Sequence, residues 1–73
     1  FMHVPGIKVV APSTPYDAKG TLAAAVRDDN PVLYVEHRLL HFQKGPVPAE
    51  SYTVQPGKAR ITVPGSDVTV VGI

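Results

Sequence analysis

Few residues in this chain could do chemistry. His37 and His41 stand four apart with Glu36 beside the first, and His3 lies near the start. Imidazole nitrogens bind zinc or move protons near neutral pH. Two of them at i, i+4 share a metal when a helix carries them, but these follow an apolar, β-branched run, where that spacing does not make a common face. They are expected to be packing or surface histidines. Glu36 and His37 still fall at the carboxyl end of a strand, the edge at which α/β sheets place ligands. Asp17 has no second carboxylate at a pairing distance in sequence, so a helix-capping role is expected rather than acid catalysis. Lys19 and Gly20 lack the preceding glycines that a phosphate-binding loop needs. No catalytic residue and no cofactor-binding residue is therefore assigned in the chain.

The stretch "AVRDDNP", residues 25–31, gathers an arginine, two acids, an amide and a proline. The last carbonyls of a helix have no partner within it, and the helix dipole makes that end negative. Carbonyls around Ala25 and Val26, with the Asp28 carboxylate and the Asn30 amide oxygen just beyond, are hard oxygen donors. Such donors suit an alkali or alkaline-earth cation rather than zinc. The same residues also read as a plain helix terminator with solvated acids, and residue types alone leave both readings open.

The elements that would position these groups are legible. Residues 7–11, "IKVVA", are a short β-branched run bounded by Pro5, Gly6 and Pro12, which predicts a strand. "STPYD" then opens a helix: Thr14 as N-cap, Pro15 at the first helical position, and Asp17 three residues after the cap. The helix is predicted to run to Arg27, with Ala18, Leu22, Ala25 and Val26 on its apolar face and Lys19, Ala23 and Arg27 elsewhere. Gly20 inside it costs about 1 kcal/mol relative to alanine, which predicts a close backbone approach there. Pro31 forbids continuation, because the residue before a proline is pushed out of the α region. Residues 32–36, "VLYVE", then read as a strand inside a parallel sheet. Strand, helix and strand make a βαβ unit, right-handed by the usual crossover rule. Residues 38–55 form a long connection broken by Gly45, Pro46 and Pro48, with one turn of helix at most in "VPAESY". Residues 59–63 and 67–71 are expected to pair as a hairpin across Pro64, Gly65 and Ser66. Tyr16, Tyr34 and Tyr52 are expected at the core or an interface.

Composition narrows the class. A 73-residue chain is at most one small domain, and domains of this size bury only about 60% of their unfolded surface. The absence of cysteine removes disulfides and thiolate zinc sites, and fits a cytoplasmic protein. A net charge of +1 with 18% charged residues offers no field for nucleic acid. No apolar stretch approaches the roughly 20 residues of a membrane span. The chain opens on Phe1 rather than Met and stops in the apolar run "VTVVGI", so a segment of a longer polypeptide is expected.

Four pieces, "H-x-PG-x-KVV-x-PS", "P-Y-DAKG", "RDDNPV" and "Y-x-V-x-x-GKA", occur here in order and span nearly the whole chain. Together they resemble the β subunit of the thiamin-diphosphate-dependent 2-oxo acid dehydrogenase component, the family of the pyruvate, branched-chain 2-oxo acid and acetoin dehydrogenases. Thr21, Ala23, and His41 with Phe42 depart from the usual pattern. The resemblance implies an α/β fold: residues 1–39 ending a transketolase-like pyrimidine-binding domain, 40–57 a linker between domains, and 58–73 the start of a C-terminal domain. It implies an α2β2 assembly with the α subunit, and thiamin diphosphate at the α/β interface with Mg2+. The reaction implied is oxidative decarboxylation of a 2-oxo acid, with acyl transfer to a lipoyl-bearing acyltransferase core. The location implied is cytoplasmic, or the mitochondrial matrix in a eukaryote.

The family's activating glutamate and assisting histidine lie upstream of Phe1, so the isolated segment is expected to be catalytically incompetent. Many members hold a structural K+, and the resemblance places its ligands on the main-chain oxygens of Ala25, Val26 and Asp28, with Asn30 completing the local set. The alternative is a stand-alone assembly or dimerisation module that keeps the fold without catalysis.

Overall fold

A computed structural model describes residues 1–72; the last residue of the 58–73 segment lies outside them. Three elements form the expected βαβ unit: β1 (Lys8–Val10), α1 (Pro15–Val26) and β2 (Val32–Tyr34). The two strands are parallel, with Lys8 opposite Val32, Val9 opposite Leu33 and Val10 opposite Tyr34. Backbone bonds from Lys8 N to the Pro31 carbonyl (3.1 Å) and from Val35 N to the Val10 carbonyl (2.8 Å) extend the ladder at both ends. Parallel neighbours need a crossover, and α1 supplies it.

The start of α1 follows from side-chain chemistry. Thr14 is extended, at φ −124° and ψ 153°, and its Oγ1 accepts from the Asp17 amide at 3.1 Å. The same hydroxyl donates to Asp17 Oδ2 at 2.9 Å. In the usual capping box the acid three residues on reaches the backbone amide of the cap; here it takes the hydroxyl instead. Pro15 costs nothing at this point, because its missing N–H would have no helical partner.

The buried face of α1 differs from the expected one. Gly20 and Thr21 are its buried residues, whereas Leu22 is 48% and Val26 79% exposed. The reason is Tyr34: its hydroxyl donates to the Ala18 carbonyl at 2.8 Å and lies 3.1 Å from Thr21 Oγ1, which itself reaches the Asp17 carbonyl at 2.6 Å. A polar knot between helix and β2 turns Thr21 inward and the larger apolar side chains outward.

Two further expectations change. The short helical turn of the connection lies at Arg38–Phe42, as a 3-10 turn, and not in "VPAESY". His37 caps it, Nδ1 accepting from the Leu39 amide at 3.3 Å. The expected hairpin of residues 59–63 and 67–71 is not paired, and no strand is present among the described residues beyond Tyr34. Ile61, Val63, Val68, Val70 and Val71 are all exposed. A two-stranded hairpin without a third layer is marginal in water, and nothing packs on these side chains here.

The accessible surface is 6532 Å2, against about 4400 Å2 for a compact protein of this mass. Val10 is the buried apolar side chain of the described residues. One face of a two-stranded sheet and one helix cannot enclose more.

Candidate functional site

Residues 25–30 close α1 as follows. The Asp28 amide donates to the Ala25 carbonyl at 3.2 Å. Asp28 Oδ1 accepts from the Asn30 amide at 2.9 Å and from Asn30 Nδ2 at 3.2 Å, a turn in which the aspartate mimics backbone. Asp28 Oδ2 accepts from Lys8 Nζ at 2.5 Å, tying the helix end to β1. The Lys8 hydrogen bond, reinforced by the Asn30 amide, holds the Asp28 carboxyl below its ordinary value of 3.8. Ala25, Val26, Asp28 and Asn30 thus share one turn, whose carboxylate is engaged by an internal cation. The sequence could show the acids and the proline, but not that Lys8, twenty residues upstream, would reach them.

The histidines separate. His41 Nε2 lies 3.3 Å from Glu36 Oε2, with both side chains more than half exposed. His37 serves its own turn. Among the described residues, no group of three or more His, Asp or Glu side chains gathers as a metal site. A cavity of about 170 Å3 opens at the carboxyl ends of β1 and β2, between Pro12, Thr14, Ala18, His37, Leu40 and His41. It is the edge at which α/β folds bind ligands. Thr14 Oγ1 already takes the Asp17 amide at the helix start beside it, and the Asp17 carboxylate lies next to that cap, which weakens the usual attraction for an anion.

The densest set of contacts lies elsewhere, where "PYDAKG" meets residues 48–54. Lys19 Nζ donates to the carbonyls of Pro48, Ala49 (3.3 Å) and Glu50 (2.9 Å). It also lies 5.0 Å from the centroid of the Tyr52 ring. That ring stacks on Tyr16 with centroids 4.6 Å apart, and its hydroxyl donates to the Tyr16 carbonyl at 2.8 Å. Partial desolvation, together with Tyr16, Asp17 and Glu50, pushes the Tyr52 phenol above its ordinary value.

Gly20 faces the same segment. A Cβ there would overlap Val54 Cγ2 and stand 2.8 Å from Tyr52 Cε2, and the Val54 amide donates to the Gly20 carbonyl at 3.0 Å. The close approach expected at Gly20 is therefore real, and its partner is the connection. Arg60 adds a contact of 3.6 Å to Asp17. Lys19 went unassigned in the sequence, because one lysine gives no sign that three carbonyls will converge on it. The glycine after it was the available signal.

The βαβ unit, the capped "TPYDAKG" helix and the closing "RDDNP" turn match the transketolase, pyrimidine binding domain, over residues 1–43. The chain belongs to this family, on the branch that holds the β subunits of 2-oxo acid dehydrogenases. It is 54% identical over 72 residues to the 2-oxoisovalerate dehydrogenase subunit beta of Bacillus subtilis, covering 97% of this chain and 22% of the relative. It is 51% identical over 72 residues to the pyruvate dehydrogenase E1 component subunit beta of Acholeplasma laidlawii, with the same two coverages. The acetoin:2,6-dichlorophenolindophenol oxidoreductase subunit beta of Cupriavidus necator is 49% identical over 71 residues, covering 97% of this chain and 21% of the relative. The chain spans about a fifth of the length of these curated relatives. No solved structure matches it.

Proposed function

We propose that the chain is a structural part of the β subunit of a thiamin-diphosphate-dependent 2-oxo acid dehydrogenase. In this reading it works in an α2β2 assembly that decarboxylates a 2-oxo acid and passes the acyl group to a lipoyl-bearing acyltransferase core. The observation that carries the reading is the spread of the similarity. About half the residues match β subunits along 97% of the chain, through the helix and on into the connection. Residues 1–39 then end the pyrimidine-binding domain, 40–57 form the linker, and 58–73 open the C-terminal domain. The family match stopping at residue 43, inside that linker, supports the division.

Thiamin diphosphate and its Mg2+ are held elsewhere in this reading. Lys19 and Gly20 sit inside α1 rather than after a glycine-rich loop, and Lys19 is occupied by carbonyls, so these residues do not fit a diphosphate. In this reading the segment contributes structure rather than catalysis, which the solvent exposure of the Glu36–His41 pair supports. The cytoplasm, or the mitochondrial matrix of a eukaryote, is the proposed location. The test is turnover by the full-length αβ pair on pyruvate, branched-chain 2-oxo acids and acetoin. Activity on one of them supports the reading, and inactivity of a folded, cofactor-loaded pair on all three sinks it.

Within that subunit the residue 25–30 turn is proposed to hold K+ through the main-chain oxygens of Ala25, Val26 and Asp28, with Asn30. Its fit rests on hard oxygens at a helix carboxyl terminus, in a turn ordered by the Asp28 side chain. The full subunit should melt at a higher temperature in K+ than in a bulky organic cation, and Asp28→Ala should shrink the gap. Equal melting in both salts rejects the site.

A second reading, a stand-alone assembly module, is favoured by one observation, the exposed apolar side chains of residues 61–71. A reading frame of roughly 300 residues or more around this stretch excludes it.

A further inference from the structure

We infer that Lys19 is the keystone of a charge-centred latch that fixes residues 48–54 against α1, and so decides whether the chain beyond Val54 moves with the βαβ unit. The inference stands on contacts within the chain and does not depend on which substrate the assembly takes.

Three consecutive carbonyls, of Pro48, Ala49 and Glu50, turn toward one ammonium. An ammonium has three N–H donors, enough to serve all three carbonyls. Successive carbonyls in an extended chain point apart, so their convergence is a shape the connection adopts around the cation. Pro48 suits this arrangement, since it has no N–H that would need a partner on the opposite side. The Tyr52 ring, four residues after Pro48, closes the cage from the side at 5.0 Å, within range of a cation–π attraction. The ring cannot drift, because it is stacked on Tyr16 and its hydroxyl is tied to the Tyr16 carbonyl.

Beyond the cage, the Val54 amide reaches the Gly20 carbonyl at 3.0 Å. Only a residue without Cβ allows this, since any Cβ at position 20 would overlap Val54 Cγ2. The contacts therefore form a sequence along the connection: charge at 48–50, ring at 52, backbone at 54. Lys19 and Gly20 are adjacent on the helix, so loosening the cage should release the backbone bond next to it. The polar contacts centre on Lys19, while the Tyr16–Tyr52 stack and Val54 against Gly20 add apolar contact beside them.

Hydrogen–deuterium exchange on the intact protein tests this, reading the Val54 amide against the Val35 amide of the β ladder. Lys19→Met keeps the length and packing of the stem and removes the charge. It should speed exchange at Val54 about tenfold and leave Val35 within about twofold, since a hydrogen bond to a charged group is worth enough for a tenfold change. Lys19→Arg keeps the charge and should stay within about threefold of the parent at Val54. Unchanged Val54 protection in a folded Lys19→Met protein overturns the inference. Equal loss at Val54 and Val35 also overturns it, because Lys19 would then support the whole fold. Should Lys19→Met not fold, Tyr52→Leu decides the matter: faster exchange confined to Val54 supports the latch, and parent-like exchange overturns it.

Discussion

Residues 7–54 and residues 59–72 have similar shares of apolar side chains, yet they behave oppositely. The first stretch is organised by a few polar contacts: the Thr14 cap, the Tyr34 hydroxyl on the Ala18 carbonyl, the Lys19 cage, and the Lys8–Asp28 pair. The second contains Ile61, Val63, Val68, Val70 and Val71 at 80% exposure or more. β-branched residues favour strands because they fit a pleated, half-covered surface, and here no surface covers them. Apolar composition supplies a tendency to be buried; a second layer decides whether burial happens.

Substitutions that act on one stretch and spare the other test the comparison, and the largest effect is expected at Gly20. Gly20→Val would drive a branched side chain into Val54 and Tyr52, and should cost about 3 kcal/mol in urea unfolding of the intact protein. Gly65→Val meets nothing within 4 Å and should change stability by less than about 0.5 kcal/mol. Equal costs would mean that the 59–72 stretch is packed after all. Next comes the polar knot. Tyr34→Phe removes the donor to the Ala18 carbonyl and should cost about 1 kcal/mol, and Thr14→Ala, which uncaps α1, a similar amount. A neutral Tyr34→Phe would shift the weight of helix–strand packing onto apolar contact.

The Lys8–Asp28 pair makes the organised stretch sensitive to pH. Asp28 titrates below its ordinary value in the folded chain, so its contribution is complete above the unfolded pKa of about 3.9 and disappears as pH falls through the lower folded value. Asp28→Asn should lower the neutral plateau of a stability–pH curve and so flatten its acid limb, with parent and variant converging at the acid end. An unaltered acid limb would show that the pair is a surface contact without energetic weight. The smallest effect is expected at Val70→Ser, within about 0.5 kcal/mol for this chain alone. In the full-length protein the proposed second domain would cover Val70, and the same change should then cost about 1 kcal/mol or more.

Local chemistry made much of the fold readable. The Pro5–Gly6 and Pro12 boundaries, the Thr14–Pro15–Asp17 helix start and the Pro31 stop each act over a few residues, and all three elements fall inside the spans they predict. Gly20 even announced a neighbour. What the neighbour was could not be read, because Lys19 and the 48–50 carbonyls are about thirty residues apart and no rule of spacing links them. The buried face of α1 departs from the apolar spacing for the same reason: Leu22 and Val26 have that spacing, but Tyr34 draws Thr21 inward. Family membership was legible in four short motifs, and the similarity along nearly the whole chain bears it out.

By itself, then, the sequence determined where the chain turns, where its helix begins and ends, and which family it belongs to. Those properties depend on backbone sterics and on neighbours a few residues away. The tertiary structure alone decided which oxygens Lys19 would gather, which cation Asp28 would meet, and that the last valines would remain uncovered. Each of those outcomes depends on the path of distant chain, and a hydrogen bond or a buried surface exists only where that path brings its second half.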